Sequence, residues 1–97
     1  MILGLSIFEL HLPQSRSLKQ KRKVVKGLVE RIHKRFKVSI IESDHHDLHQ
    51  RSEISIALVA LCESEAERIF DAIRGLVDQE FDAALLRWDP QLMDVTE

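Results

Sequence analysis

Three groups of side chains in this sequence could do chemistry. The first is Asp44-His45-His46-Asp47-Leu48-His49, with three imidazoles and two carboxylates within six residues. Neutral imidazole and carboxylate are ligands for zinc and other divalent metals. The spacing matches no closed structural zinc site, however, and no further Cys or His pair supports it. No metal is therefore assigned, and a metal-dependent enzyme on this loop is the weakest of the readings carried forward. The second group is Glu9, His11 and Glu42, which could hold an acid and a base if they converged in one cleft. No nucleophile motif, glycine-rich phosphate loop or paired-carboxylate signature accompanies them, so the reading is no enzyme and no cofactor.

The third group is the basic stretch Arg16-Ser17-Leu18-Lys19-Gln20-Lys21-Arg22-Lys23. Ten of the fourteen Lys and Arg residues lie between Arg16 and Lys37, with a single acid, Glu30. That segment carries +9, whereas the remainder, with fifteen acids and four bases, carries −11. The net charge of −2 conceals the division. A helix N-terminus is partially positive, so an exposed cation there is disfavoured by ~0.3–1 kcal/mol. An anion such as phosphate would offset this. The first-turn N–H groups, lysine point charges and the arginine fork all suit it.

These residues need elements to position them. Ile2–Leu12 alternates as a strand, with Ile2, Gly4, Ser6, Phe8, Leu10 and Leu12 on one face. Ser17 and Gln20 form a capping box that opens a helix. Leu18, Val25, Leu28, Val29, Ile32 and Phe36 make its apolar arc, with Lys19, Lys23, Lys26, Lys34 and Lys37 opposite. Lys21 projects into the apolar arc and Arg22 sits at its margin, where both are expected to snorkel past the end of the core. Val38–Ser43 and Ser52–Cys62 read as strands, Ser64-Glu65-Ala66-Glu67 as a capping box opening a second helix, and Ala83–Trp88 as a last strand stopped by Pro90. The order β-α-β-β-α-β predicts an α+β, ferredoxin-like fold: a four-stranded antiparallel sheet with two helices on one face. Right-handed crossovers put the first and third strands at the centre.

Residues 1–90 are read as one domain and 91–97 as a fraying tail. A lone cysteine, Cys62, permits no internal disulfide, fits a reducing cytoplasm and is expected to be buried. The apolar N-terminus lacks the basic start of a signal peptide, and no apolar run is long enough to span a bilayer. Trp88 is expected in the core or an interface.

Glu9-Leu10-His11-Leu12-Pro13, Ser15-Arg16-Ser17-Leu18-Lys19-Gln20-Lys21-Arg22, and Glu42 through Asp47-Leu48 to Gln50-Arg51 together resemble the bacterial YlxP-like family. The Ser-Leu-Lys-x-Lys-Arg run is the most specific part. The resemblance implies a ferredoxin-like fold, a cytoplasmic bacterial protein and no established activity. The family's frequent placement among translation genes points toward ribosomal partners. Gln20 and His49 depart from the acid and the aromatic that the family pattern carries there.

The expected function is thus a binding module for RNA or ribosomal subunits, with no membrane role. Arg16, Lys19, Lys21, Arg22, Lys23, Lys26 and Arg51 are the expected phosphate contacts, and His11, His45 and His46 are accessory neighbours. Base stacking on the sheet is not expected, because Ser52–Cys62 contains no aromatic. An acidic protein or a small phosphate ligand could take the same cations. The competing class is a self-associating scaffold, a homodimer through an edge strand or the open sheet face, with the basic helix merely solvated.

Overall fold

The computed structural model describes residues 1–96. Its elements are β1 (Ile2–His11), α1 (Leu18–Phe36), β2 (Ser39–Asp44), β3 (Arg51–Ala60), α2 (Glu63–Asp78), β4 (Ala84–Leu86) and β5 (Gln91–Asp94). All pairings are antiparallel and the strand order is β2-β3-β1-β4, with β5 also on β1. This is the ferredoxin-like arrangement, with β3 and β1 central as the crossover rule requires.

The period of two in β1 decides which face meets the helices. Ile2, Gly4, Ser6, Phe8 and Leu10 are all buried, whereas Leu3, Leu5 and Ile7 are exposed. Val25, Leu28 and Ile32 of α1 and Ala66, Phe70, Ile73 and Val77 of α2 close the core against that buried face. Gly4 is required by α2. A Cβ built there would lie 2.6 Å from Phe70 Cε2, so the ring occupies space that any side chain would claim.

Two expectations at the chain's edges are corrected. Residues 91–94 do not fray: Leu92 lies opposite Gly4 and packs against the core, and β5 continues along the edge of β1 that β4 occupies. Glu97 lies outside the described residues. Between Leu86 and Gln91 the outer strand has four residues where β1 has three, a bulge that explains how Pro90 is accommodated. Arg87 takes a positive φ of 58° there, and Trp88 turns inward onto Phe8 (5.3 Å between centroids) and Phe70 (6.2 Å). The second correction is Cys62, which is exposed. Helix α2 starts two residues earlier than the Ser64 capping box implies, with Cys62 as its N-cap residue and Sγ 3.3 Å from Ser64 Oγ. That hydroxyl, with a backbone hydrogen bond at Glu65, holds the thiol below its ordinary pKa.

Candidate functional site

The start of α1 forms the Ser17 half of the capping box, while Gln20 reaches one residue farther back than the N-cap, to Arg16. Ser17 is extended (φ −155°) and its Oγ accepts from the Gln20 N–H at 3.1 Å; Gln20 Oε1 accepts from the Arg16 N–H at 2.6 Å. The first turn holds no acid. Arg16, Lys19, Arg22, Lys23 and Lys26 are all exposed, and none has a carboxylate within 4 Å among the described residues. Positions 19, 22, 23 and 26 follow helical spacing, so these four form one stripe on the outer surface. Farther along, Arg31 is ion-paired with Glu80. A groove of about 840 Å³ on that flank has Lys23, Arg31 and Lys34 facing Glu30, Glu80 and Asp82. Its mixed charge suits an anionic polymer less well than the stripe does.

Lys21 does not belong to that surface. Its side chain is fully buried, with Nζ 2.7 Å from Glu42 Oε2 and donating also to the carbonyls of His45 (3.0 Å) and His46 (3.4 Å). Snorkelling is prevented because β2 places a carboxylate directly under the first turn, so the ammonium finds its partner inside. Ser52 Oγ donates to the same Glu42 oxygen at 2.6 Å. Burial pushes the Glu42 carboxyl up, but the hydrogen bonds from Lys21 and Ser52 and the Lys21 charge outweigh it, leaving the group below its ordinary value. Lys21 therefore joins α1, β2, β3 and the 45–50 loop, and as placed it cannot touch phosphate.

The second polar node lies on the opposite sheet face. Glu9 accepts from His45 Nε2 at 3.2 Å and from Arg51 Nη2 at 3.0 and 3.1 Å. The His45 hydrogen bond, followed by the Arg51 one, holds the Glu9 carboxyl low. His45 adopts φ 64°, and this left-handed turn carries the loop across the end of the sheet. His46 turns away, its Nε2 3.1 Å from the Glu42 carbonyl. Gln50 Nε2 donates to the carbonyls of Pro13 and Ser15, both at 3.2 Å, tying this loop to the approach to α1. His11 is exposed and in register with Arg51.

This geometry separates the proposed acid–base set. Glu42 pairs across with buried Ile54 on the helix side, whereas Glu9 shares the exposed face of β1 with Leu5 and Ile7, so no cleft holds both carboxylates. The histidine loop is also dispersed: among the described residues, no three His, Cys, Asp or Glu side chains are gathered so as to hold a metal ion. Arg51 lies at the α1 end of β1 but is ion-paired with Glu9 on the sheet face away from the helices, apart from the stripe on α1. Ser52 and Glu42 were not foreseen as partners of Lys21. The signal for them was a lysine inside an apolar arc, which needs an acid on a facing strand.

Comparison with known proteins fixes the family. Residues 3–89 match the family described as "Protein of unknown function (DUF503)". The chain belongs to that family. It is 30% identical over 77 residues to the uncharacterized protein YlxP of Bacillus subtilis, an alignment that covers 79% of this chain and 84% of the relative. A de novo designed protein with a ferredoxin fold, solved by solution NMR, superposes over the whole chain and 88% of its own length, with a TM-score of 0.54 and 10% identity. That likeness establishes the fold alone. No helix of the described residues is long and apolar enough to cross a membrane.

Proposed function

We propose that this DUF503 protein is a non-catalytic module that contacts RNA, in a ribosomal or pre-ribosomal particle, through the stripe formed by Lys19, Arg22, Lys23 and Lys26 with Arg16 beside it. The observation that carries this reading is the lack, among the described residues, of any carboxylate within 4 Å of these cations, although the rest of the chain is strongly acidic. Four cations on one helix stripe repel one another, and Lys19 in the first turn also opposes the dipole; a phosphate backbone relieves both. The contact reads backbone charge and shape, not sequence, because the central strand β3 carries no aromatic on which a base could stack. Lys21 supports the site from inside by fixing the first turn against β2. Cytoplasmic location belongs to the same proposal.

Co-sedimentation with ribosomal subunits across a salt series tests it. Four phosphate contacts give a log–log salt slope of about −3. Arg22→Glu/Lys26→Glu, four residues apart on one face, should weaken binding uniformly across RNAs and bring the slope to about −1.5. Binding unchanged in that variant removes the phosphate role.

A further inference from the structure

We infer that the sheet face away from the helices is an interface for a second copy of this chain, packed face to face about a two-fold axis that runs along the strands between β1 and β3. The starting point is what that face exposes. Leu3 (39%), Leu5 (44%) and Ile7 (50%) on β1 are flanked by Ile41 (59%) on β2, Val59 (63%) on β3 and Met93 (61%) on β5. Of the charged residues, Glu9, Glu53 and Arg51 stand at one end of this face, and Arg87 and Asp89 at its β4–β5 edge. Six large apolar side chains exposed on one sheet face, with the small Ser55 between Ile41 and Ile7, are more than singly scattered surface residues.

The face is also large enough. β1 and β3 supply ten residues each, β2 six, and β4 with β5 seven. At ~3.3 Å per residue and ~4.8 Å between strands they cover about 500 Å² in projection. Two copies together bury about 1,000 Å² before side-chain relief is counted, the lower bound for a specific interface. A concentration-dependent dimer follows, not an obligate one.

Register identifies the occupant and the axis. Ile41, Ser55 and Ile7 lie in one row across the sheet, with Ile41 at the β2 edge. At the other end of that row, the bulge between β4 and β5 leaves a notch lined by Leu5, Ile7, Arg87, Trp88, Asp89 and Gln91. A two-fold along the strands keeps each row at its level and exchanges the edges. It therefore lays the partner's Ile41 over the notch, and this chain's Ile41 over the partner's notch. The same operation sets β1 against the partner's β3, so that Ile7 meets Ser55 and Leu5 meets Ala57, large against small. Packed sheets of this kind interdigitate in that way at ~10 Å separation. A two-fold across the strands would instead put knob on knob and notch on notch. In the inferred dimer both α1 stripes face outward, so the interface does not depend on the phosphate reading.

Sedimentation equilibrium over a wide concentration range, with the intact chain, is the first test. The wild type should pass from monomer to dimer mass. Ile41→Glu and, independently, Val59→Glu should each raise the dissociation constant at least about tenfold, by burying an unpaired charge, with far-UV circular dichroism unchanged. The axis is tested in a Cys62→Ser background with a short bis-maleimide. A mixture of Ile41→Cys chains with Gln91→Cys chains should give a covalent dimer, and neither variant alone should. A wild type that stays monomeric at every concentration overturns the inference and leaves the face to a different partner. So does undiminished association of both charged variants, or cross-linking of Ile41→Cys to itself.

Discussion

Replacing Lys21 by methionine is the most demanding test of the site's architecture. Methionine keeps most of the length and volume of the lysine stem but removes the ammonium, leaving Glu42 without its ionic partner and the His46 carbonyl without a donor, while the His45 carbonyl keeps only the Leu48 N–H. Breaking one side of a fully buried pair costs about 3–5 kcal/mol. Glu42 keeps its Ser52 hydrogen bond, and its side chain is 17% exposed, so solvent screens part of the loss. A value of about 3 kcal/mol is expected, near the lower end. For a domain of this size that lowers Tm by roughly 12–20 °C. Urea unfolding followed by Trp88 fluorescence reads it directly. Glu42→Leu in the same background should cost less than the sum of the single changes, because the second substitution removes a carboxylate already stranded. The acid limb carries a second signature. Glu42 is held low in the folded state, so its contribution is present above the ordinary carboxylate pKa and is lost as pH falls through the folded value. Lys21→Met should therefore flatten stability against pH on the acid side while leaving its trend near neutrality unchanged. A loss of less than about 1 kcal/mol would mean that Lys21 is solvated after all, and the division of the basic stretch into a buried strut and an exposed stripe would fall.

Three further outcomes follow from local geometry. Ser6 Oγ is buried with no hydrogen-bond partner among the described residues, so Ser6→Ala should be neutral to stabilising, by up to about 1 kcal/mol in denaturant titration. Glycine substitutions should diverge in sign: Gly27→Ala, where a Cβ meets nothing within 4 Å, should stabilise α1 by about 0.5–1 kcal/mol. Gly4→Ala, driven against the packed Phe70 ring, should destabilise by about 1–3 kcal/mol. The Cys62 thiol, exposed and held below its ordinary pKa, should react with a thiol reagent in the folded protein, at a rate that rises through a lower pH than a free cysteine's.

The fold was largely legible because periodicity carried it. The alternation in Ile2–Leu12 sorted β1 into its two faces residue by residue, although both are largely apolar and the pattern alone left open which one meets the helices. The Ser17–Gln20 pair placed the helix start where it is found. What periodicity could not show were departures from it. Leu85, Trp88 and Leu92 all pack on the core, at spacings of three and four, because a bulge intervenes; from the sequence alone Pro90 looked like a stop. Cys62 was misplaced for a related reason: strand alternation was extended past Ala60, where the chain had already turned to cap α2. Charge misled in another way, since a count of cations does not say which way each one points.

Lys21 makes that last point concrete and alters how the basic stretch should be understood. A lysine at a core position of an amphipathic helix has two outcomes, and the choice rests with the strand it faces. Here β2 supplies Glu42 on its helix side, β3 supplies Ser52, and the left-handed turn at His45 brings two carbonyls within reach. Those groups come from segments at least 21 residues away in sequence, so no local pattern encodes them. Their effect is to fasten the first turn of α1 to the sheet and to the 45–50 loop, while Gln50 ties the same loop to Ser15. The exposed cations on either side of Lys21 thereby stand on a rigid base, in fixed spacing. This gives a further way to separate the two kinds of lysine. Lys21→Met should lower stability yet leave RNA affinity per folded molecule close to wild type, whereas Lys23→Met should do the reverse. If Lys21→Met at a temperature where it remains folded loses affinity as steeply as Lys23→Met does, the buried lysine contributes to the contact directly and the assignment of the stripe is wrong.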